Sequence, residues 1–327
     1  MIIVTGGAGF IGSNLVASLT RADQLMRSEV AVIDWLGVDD KWRNLGSSQF
    51  LHLVPPEEGL DFLNRHRWEI EAVVHLGALS STTETDGDRI ARWNIQYSID
   101  LADWCFERGI KFCYASSAAT YGDGGEGFRD DDGLDYLSKL RPLNLYGWSK
   151  HAVDLALARR GFFADRHSQI IGLKFFNVYG PNEYHKGAQQ STVSHFHRQI
   201  KETGRARLFK SYRAGVANGE QLRDFVSVKD CVILIRAVLE KEFPSGLYNI
   251  GTSQARSFND LARAVFAAMG REPQIDYIDM PESLRDRYQY YTQSQSKGFL
   301  LSHRYLSLEG GVNDYVKNHL NCQDPYL

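Results

Sequence analysis

Ile2, Ile3 and Val4 form an apolar run too short for anything but a buried strand, and a cluster of glycines follows at once. Beyond the glycines, Ile11, Leu15, Val16 and Leu19 fall on one helical face, so the order is strand, glycine turn, helix. Val30 to Ile33 predicts a second strand, and Ala72 to Leu76, Phe112 to Ala115 and Gln169 to Phe175 predict three more, with helix-periodic segments between them. Strands alternating with such segments predict a Rossmann-type α/β fold: a doubly wound parallel sheet with helices on both faces. Asp123 to Gly133 and Ser211 to Gln221 are polar, glycine-containing and aperiodic, which reads as surface loop. After Phe225 apolar β and helical patterns return at Cys231 to Leu239 and Leu247 to Ile250, and a helix is expected over Phe258 to Met269. No internal repeat is visible.

Thr5-Gly6-Gly7-Ala8-Gly9-Phe10-Ile11-Gly12 carries the first chemistry. Gly6 and Gly9 allow a tight turn and the close approach of a pyrophosphate, whose charge meets the positive end of the following helix. Gly12 lets helix and strand pack. The second strand ends at Asp34, where an acidic side chain accepts hydrogen bonds from an adenosine ribose and favours NAD. Lys41 and Arg43 follow closely, and two cations near that ribose suit a 2′-phosphate. NADP is the expected cofactor, with NAD the alternative. On this basis residues 1–175 form a NAD(P)-binding domain with returning pieces around 225–250. A smaller, interleaved α/β substrate lobe is drawn from 176–224 and 251–327.

Composition fits a soluble enzyme. The 327 residues, 43% of them apolar, are enough for one large domain and a smaller lobe. A net charge of −3 with no basic run argues against nucleic acid or an anionic membrane as partner. Cys105, Cys113, Cys231 and Cys322 lie far apart without metal or redox spacing, and three sit in apolar segments, so they read as reduced packing residues and no metal is expected. A first strand beginning at residue 2 leaves no room for a signal peptide, and no apolar run approaches membrane-spanning length. The expectation is a cytoplasmic protein.

Tyr146-Gly147-Trp148-Ser149-Lys150 carries the second chemistry. On a helix Tyr146 and Lys150 share a face, so an ammonium stands near the phenol. A free phenol titrates near pH 10; a neighbouring cation and an oxidised nicotinamide ring both pull that value down towards the working range. Upstream, the strand Phe112 to Ala115 runs into Ser116 and Ser117 at its carboxyl end, where ligands of open α/β sheets lie. Ser117 is then placed to bond a reacting oxygen.

These motifs in this order resemble the extended short-chain dehydrogenase/reductase family from Met1 to about Asn318. Phe176-Asn177-Val178-Tyr179-Gly180-Pro181 also resembles the wider family, while Ser80-Ser81-Thr82-Thr83-Glu84, His185-Lys186-Gly187 and Arg287-Tyr288-Gln289 are similar to the family's group that epimerises C6 of an ADP-linked manno-heptose on the route to lipopolysaccharide core. The resemblance implies a tightly held nicotinamide cofactor, transient oxidation to a ketone, and a homo-oligomer. It implies Tyr146 and Lys186 as acid/base groups, with Ser117 and Lys150 supporting. Inversion by oxidation and re-reduction gives a reason for two, because hydride must return to the opposite face. Cofactor contacts carried over are Phe10, Ile11, Trp35, Lys41, Leu76, Gly77, Ala78, Ser80, Asn94, Lys150 and Val178, beside Gly6, Gly9, Gly12 and Asp34. Substrate contacts are Ser81, Ser117, Asn177, Lys186, Ala188, His195, Phe209, Lys210, Ser211, Tyr212, Arg223 and Tyr288, with Arg223 suited to a diphosphate.

Several positions depart from the group's pattern. Ala188 replaces a serine, Leu76 an acidic residue and Trp93 an asparagine; Ala214 to Gln221 resembles an insertion, and Pro55-Pro56-Glu57-Glu58 stands where a second phosphate-binding lysine is expected. Two alternatives remain: another nucleotide-sugar epimerase or dehydratase, or a cofactor-binding sensor without turnover. A dehydratase needs an acid and a base beside the serine, yet Ala118 and Ala119 follow Ser117.

Overall fold

A computed structural model describes residues 1–21, 29–285, 288–296 and 302–327. In chain order its strands are β1 (Ile2–Thr5), β2 (Val30–Ile33), β3 (His52–Val54), β4 (Ala72–His75), β5 (Lys111–Ser117), β6 (Ile170–Phe175), β7 (Asn177–Tyr179), β8 (Ala206–Phe209), β9 (Leu222–Ser227), β10 (Gly246–Ile250), β11 (Ala255–Ser257) and β12 (Ile275–Ile278). Seven of them make one sheet in the order β10-β6-β5-β4-β1-β2-β3, every pair parallel. β1, β2, β4, β6 and β10 are buried along their whole length, which is why they appear as continuous apolar runs and not as alternation.

Side chains on the two faces feed separate cores. Ile3, Val73, Phe112 and Leu157 join one, and Val4, Val32, Leu15 and Ile235 the other, beneath the helices Phe10–Thr20 and Val228–Glu240. The chain winds outward from β1 to β3 and then returns to β4 on the other side of β1. That reversal opens a crevice at the carboxyl ends of β1 and β4, and everything the function needs converges there.

The smaller part has its own core. Val193, Phe196, Leu261, Phe266, Val312 and Tyr315 pack together from the helices Thr192–Thr203, Phe258–Ala268 and Leu308–Tyr315. Two small sheets flank it, β11-β9-β7 and β12-β8. The chain passes between the two parts within two residues, since β6 ends at Phe175 and β7 begins at Asn177.

Each strand predicted in the large sheet is present, within two residues at either end. The short strands β3, β7, β8, β11 and β12 were not expected: each has three or four residues, too few for a periodicity to register. Asp123 to Gly133 and Ser211 to Gln221 hold neither helix nor strand. Cys105, Cys113 and Cys231 are buried and free; Cys322 is free and exposed.

Candidate active site

The glycine turn builds the floor of the crevice. Gly6 adopts a φ of +66°, and a Cβ there would lie 2.5 Å from the Gly77 amide nitrogen, so only glycine fits between β1 and the loop after β4. A Cβ at Gly12 would collide with the Gly6 carbonyl, which confirms its packing role. The helix Phe10–Thr20 starts at Gly9 with no side-chain cap and no acidic residue in its first turn, leaving its first amides for an anion.

A cavity of about 540 Å³ opens above this turn. It brings together most of the predicted cofactor residues: Gly6, Gly9, Phe10, Ile11, Gly12, Asp34, Lys41, Leu76, Gly77, Ala78, Ser80, Lys150 and Val178. Ser81, Ser117, Tyr146 and Lys186 line it too. Beside it lies an apolar slot of about 150 Å³ walled by Trp35, Pro56, Trp93 and Tyr97, with the two indoles edge to face at 4.6 Å. The Tyr97 hydroxyl is buried there without a hydrogen-bond partner. An uncapped helix start, a flat aromatic slot and an orphaned hydroxyl fit a dinucleotide: pyrophosphate at the helix, adenine in the slot.

Asp34 stands between them. Its Oδ2 accepts from the Ala8 amide at 2.9 Å and its Oδ1 from Lys41 Nζ at 2.7 Å, while Nζ also donates to the Trp35 carbonyl at 2.6 Å. The acid and the cation expected to oppose one another are therefore paired. Arg43 does not join them: its guanidinium lies 3.9 Å from Asp324 and 4.6 Å from the Tyr326 ring centroid, away from the cavity.

The crest of β5 carries the reacting groups. Asn144 caps the helix Leu145–Arg159 through the Gly147 amide at 2.8 Å, fixing Tyr146 and Lys150 one turn apart above Ser117. Ser117 also accepts from the Ala119 amide at 3.1 Å, so it caps the turn Ala118–Tyr121 and serves the crest at once. Burial pushes the Tyr146 phenol up, and a hydrogen bond with Ser117 works against that shift. The lowering that sequence analysis expects from Lys150 is joined here by Ser117, and the buried ammonium of Lys150 is itself destabilised. Burial lowers Lys150 to about 8, opposed by Asp154. Asp154 in turn takes hydrogen bonds from Tyr114 at 2.9 Å and Ser116 at 2.8 Å and pairs with buried Lys174 at 3.0 Å, which makes Ser116 a supporting residue.

Lys186 faces this crest from a turn, Tyr184–Gln189. Buried Glu183 holds the turn by accepting from Ser191 Oγ at 2.6 Å and from the Tyr315 hydroxyl at 3.0 Å. Burial lowers the Lys186 pKa, with Glu183 opposing, and its Nζ stands 5.4 Å from the Phe10 ring centroid. A second cavity of about 550 Å³ continues beyond it, lined by Asn177, Ala188, Gln190, Thr192 and Phe225. Tyr146 and Lys186 line both cavities.

Other predicted contacts are elsewhere. Asn94 is not on a cavity wall: its amide group is used on Leu79, accepting from N at 2.8 Å and donating to O at 3.0 Å, and on Ser149 at 3.1 Å, so it fastens the loop and the Tyr146 helix. His195 turns to the Ala188 carbonyl at 3.1 Å and to Arg198. Arg223 is buried, donating to the main-chain carbonyls of Leu222 and Gln289 and lying over the rings of Phe258 and Tyr288. Phe209, Lys210, Ser211 and Tyr212 lie on the outer edge of the small lobe, where Lys210 and Tyr212 both reach Asp279. None of these lines either cavity. Arg287 falls outside the described residues. Sequence reasoning missed Tyr97, Phe176, His185 and Gln189 as wall residues and counted Trp93 only as a departure. Trp93 and Tyr97 are four apart on a helical segment with rings at 5.6 Å, a spacing that was there to be read.

The model of the NAD dependent epimerase/dehydratase family matches residues 2–251. A relative from Nitratidesulfovibrio vulgaris, ADP-L-glycero-D-manno-heptose-6-epimerase, is 45% identical over 332 residues and spans 100% of each chain. One of the same name from Fusobacterium nucleatum is 44% identical over 338 residues, again with 100% of each chain covered. Among solved structures, the Helicobacter pylori ADP-L-glycero-D-manno-heptose-6-epimerase superposes with a TM-score of 0.78 at 27% identity, over 97% of this chain and 95% of that one.

Proposed function

This chain belongs to the NAD dependent epimerase/dehydratase family, and from that premise we propose its reaction. It is an epimerase that inverts C6 of an ADP-linked manno-heptose, converting ADP-D-glycero-D-manno-heptose to the L-glycero epimer for lipopolysaccharide core precursors. The observation that carries this reading is the position of Tyr146 and Lys186 on the shared wall of two cavities, one fitting a dinucleotide and one open to a sugar. Gly6, Gly9, Gly12, Asp34 and Lys150 would hold a nicotinamide dinucleotide in the first cavity, and that group would supply the hydride chemistry that makes and reduces a transient ketone at C6.

The chain's own residues manage the proton. Tyr146 Oη takes the proton of the C6 hydroxyl while Ser117 hydrogen-bonds the oxygen, and Lys150 keeps positive charge beneath the phenolate that precedes the transfer. Lys186 Nζ, whose hold on its proton burial weakens while Glu183 opposes, supplies the proton on the opposite face. Ser81, Asn177 and Ala188 hold the sugar, while Arg223, Tyr288 and the 209–212 segment bind farther out, where the nucleotide half extends. A dehydratase is disfavoured because Ala118 and Ala119 supply neither acid nor base beside Ser117.

The cofactor is a nicotinamide dinucleotide; the sequence's preference for NADP is weakened, because Arg43 faces away and Lys41 alone is left to meet a 2′-phosphate. The enzyme is read as cytoplasmic and homo-oligomeric; among the described residues no helix is long and apolar enough to cross a membrane. The test is to incubate the protein with ADP-D-glycero-D-manno-heptose and follow C6 by NMR. Conversion to an equilibrium mixture of epimers without added cofactor is expected; loss of water, or no change at C6, would overturn the reading.

A further inference from the structure

Glu57 stands behind Trp35, a wall of the adenine slot. Its two carboxylate oxygens accept from Trp35 Nε1 at 3.0 and 2.9 Å, and Trp35 directly follows Asp34. Pro55 and Pro56 precede it, and their rings fix the backbone of the turn that carries it. Its charge is felt inside the slot, where it adds to burial in pushing the Tyr97 phenol up. Linked through Trp35, then, are two carboxylates, Asp34 and Glu57, and one ammonium, Lys41.

That ammonium is already engaged between Asp34 Oδ1 at 2.7 Å and the Trp35 carbonyl at 2.6 Å, and Arg43 faces Asp324 and Tyr326 instead. The ribose of NAD brings neutral hydroxyls, which two carboxylates accept readily. A 2′-phosphate brings close to two negative charges, which must draw Lys41 off Asp34 and enter the field of Glu57, the carboxylate held on the neighbouring Trp35. We propose that Glu57 is a specificity-determining residue that makes this chain select NAD over NADP. The proposal rests on the reading that the Asp34 end of the cavity receives the adenosine ribose.

The two dinucleotides differ only in that phosphate, so their ratio isolates this corner. Isothermal titration of cofactor-stripped protein should give tighter binding of NAD. Glu57→Gln keeps an oxygen for Trp35 Nε1 but removes the charge; NAD affinity should stay within about twofold while NADP tightens about three- to tenfold, the gap shrinking as salt rises. Where stripping unfolds the protein, the NAD to NADP ratio released on denaturing purified wild type and Glu57→Gln gives the same comparison. Wild type that prefers NADP, or a ratio unmoved by Glu57→Gln, overturns the proposal. Folded protein that binds neither dinucleotide sinks the cofactor reading of the cavity and the proposal with it.

Discussion

The cofactor side and the substrate side of this site are built differently. On the cofactor side the walls come from the carboxyl ends of β1, β2, β4 and β5 and the turns just after them, in one parallel sheet whose register is fixed by strands buried along most of their length. On the substrate side Asn177, Ala188, Thr192 and Phe225 come from β7, a turn, a helix start and β9, held by small sheets and a separate core. One side is a single rigid crest and the other is gathered from distant pieces. Changes on the crest should therefore act on chemistry, and changes in the gathered part on affinity, except at Lys186, the group of that part that faces the crest.

Tyr146→Phe should break the crest most severely. Activity falls on the order of 10²–10⁴-fold while the cofactor stays bound, because the hydroxyl moves a proton and does not hold the dinucleotide. Steady-state rates alongside assay of nucleotide released from denatured protein check this, and near-native turnover would remove Tyr146 from the mechanism.

The rigidity of the crest has its own test in His75. Thr5 Oγ1 lies 2.6 Å from its Nδ1 and Ser98 Oγ 2.8 Å from its Nε2, and burial with the Lys150 charge lowers it from 6.5 to about 3. Between those values the unfolded chain holds a proton that the folded chain lacks. The stability that neutral His75 contributes is thus present above pH 6.5 and lost as pH falls towards 3, at up to about 1.4 kcal/mol per pH unit. His75→Asn should be less stable at neutral pH but show a flatter loss in acid, measured by denaturant unfolding across pH 4 to 7. An unchanged slope would mean that His75 is not held neutral.

Lys150 offers a smaller effect of opposite sense. With its pKa lowered to about 8, the ammonium disappears as pH rises through that value, so kcat/KM should fall on the alkaline side near pH 8. Lys150→Arg should move this limb upward by a unit or more, since a guanidinium keeps its charge. A limb that stays in place assigns the titration to another group.

The smallest effect belongs to the gathered side. Arg223→Lys removes the paired donors that engage Leu222 and Gln289 and the planar contact with Phe258 and Tyr288. KM should rise several-fold with kcat nearly constant. A fall in kcat with KM unchanged would place Arg223 functionally with the crest.

This contrast also decides what the sequence revealed. Gly6, Gly9, Gly12, Asp34, Ser117, Tyr146 and Lys150 were legible because each sits at a fixed offset within one strand–turn or helical unit, where spacing dictates geometry. That His195, Arg223 and the 209–212 segment lie outside the two cavities was not legible, because their direction depends on how the elements of the small lobe pack, and nothing local encodes that. The Asp34–Lys41 pair falls between the two cases: both residues were named, but side chains seven positions apart reveal their pairing only when the intervening turn is folded. Asn94 was recognised for its position, yet its work on Leu79 and Ser149 needed coordinates.

The central claim is that inversion takes place between Tyr146 and Lys186, where the two cavities meet. Lys186→Met tests it most directly when two rates are measured in the one variant: epimerisation at C6, and reduction or oxidation of an analogue carrying an aldehyde at C6. The account predicts that epimerisation is abolished while the aldehyde analogue still reacts in one stereochemical sense through Tyr146. A Lys186→Met enzyme that epimerises within a few-fold of wild type would contradict it, and would leave a single tyrosine serving both faces.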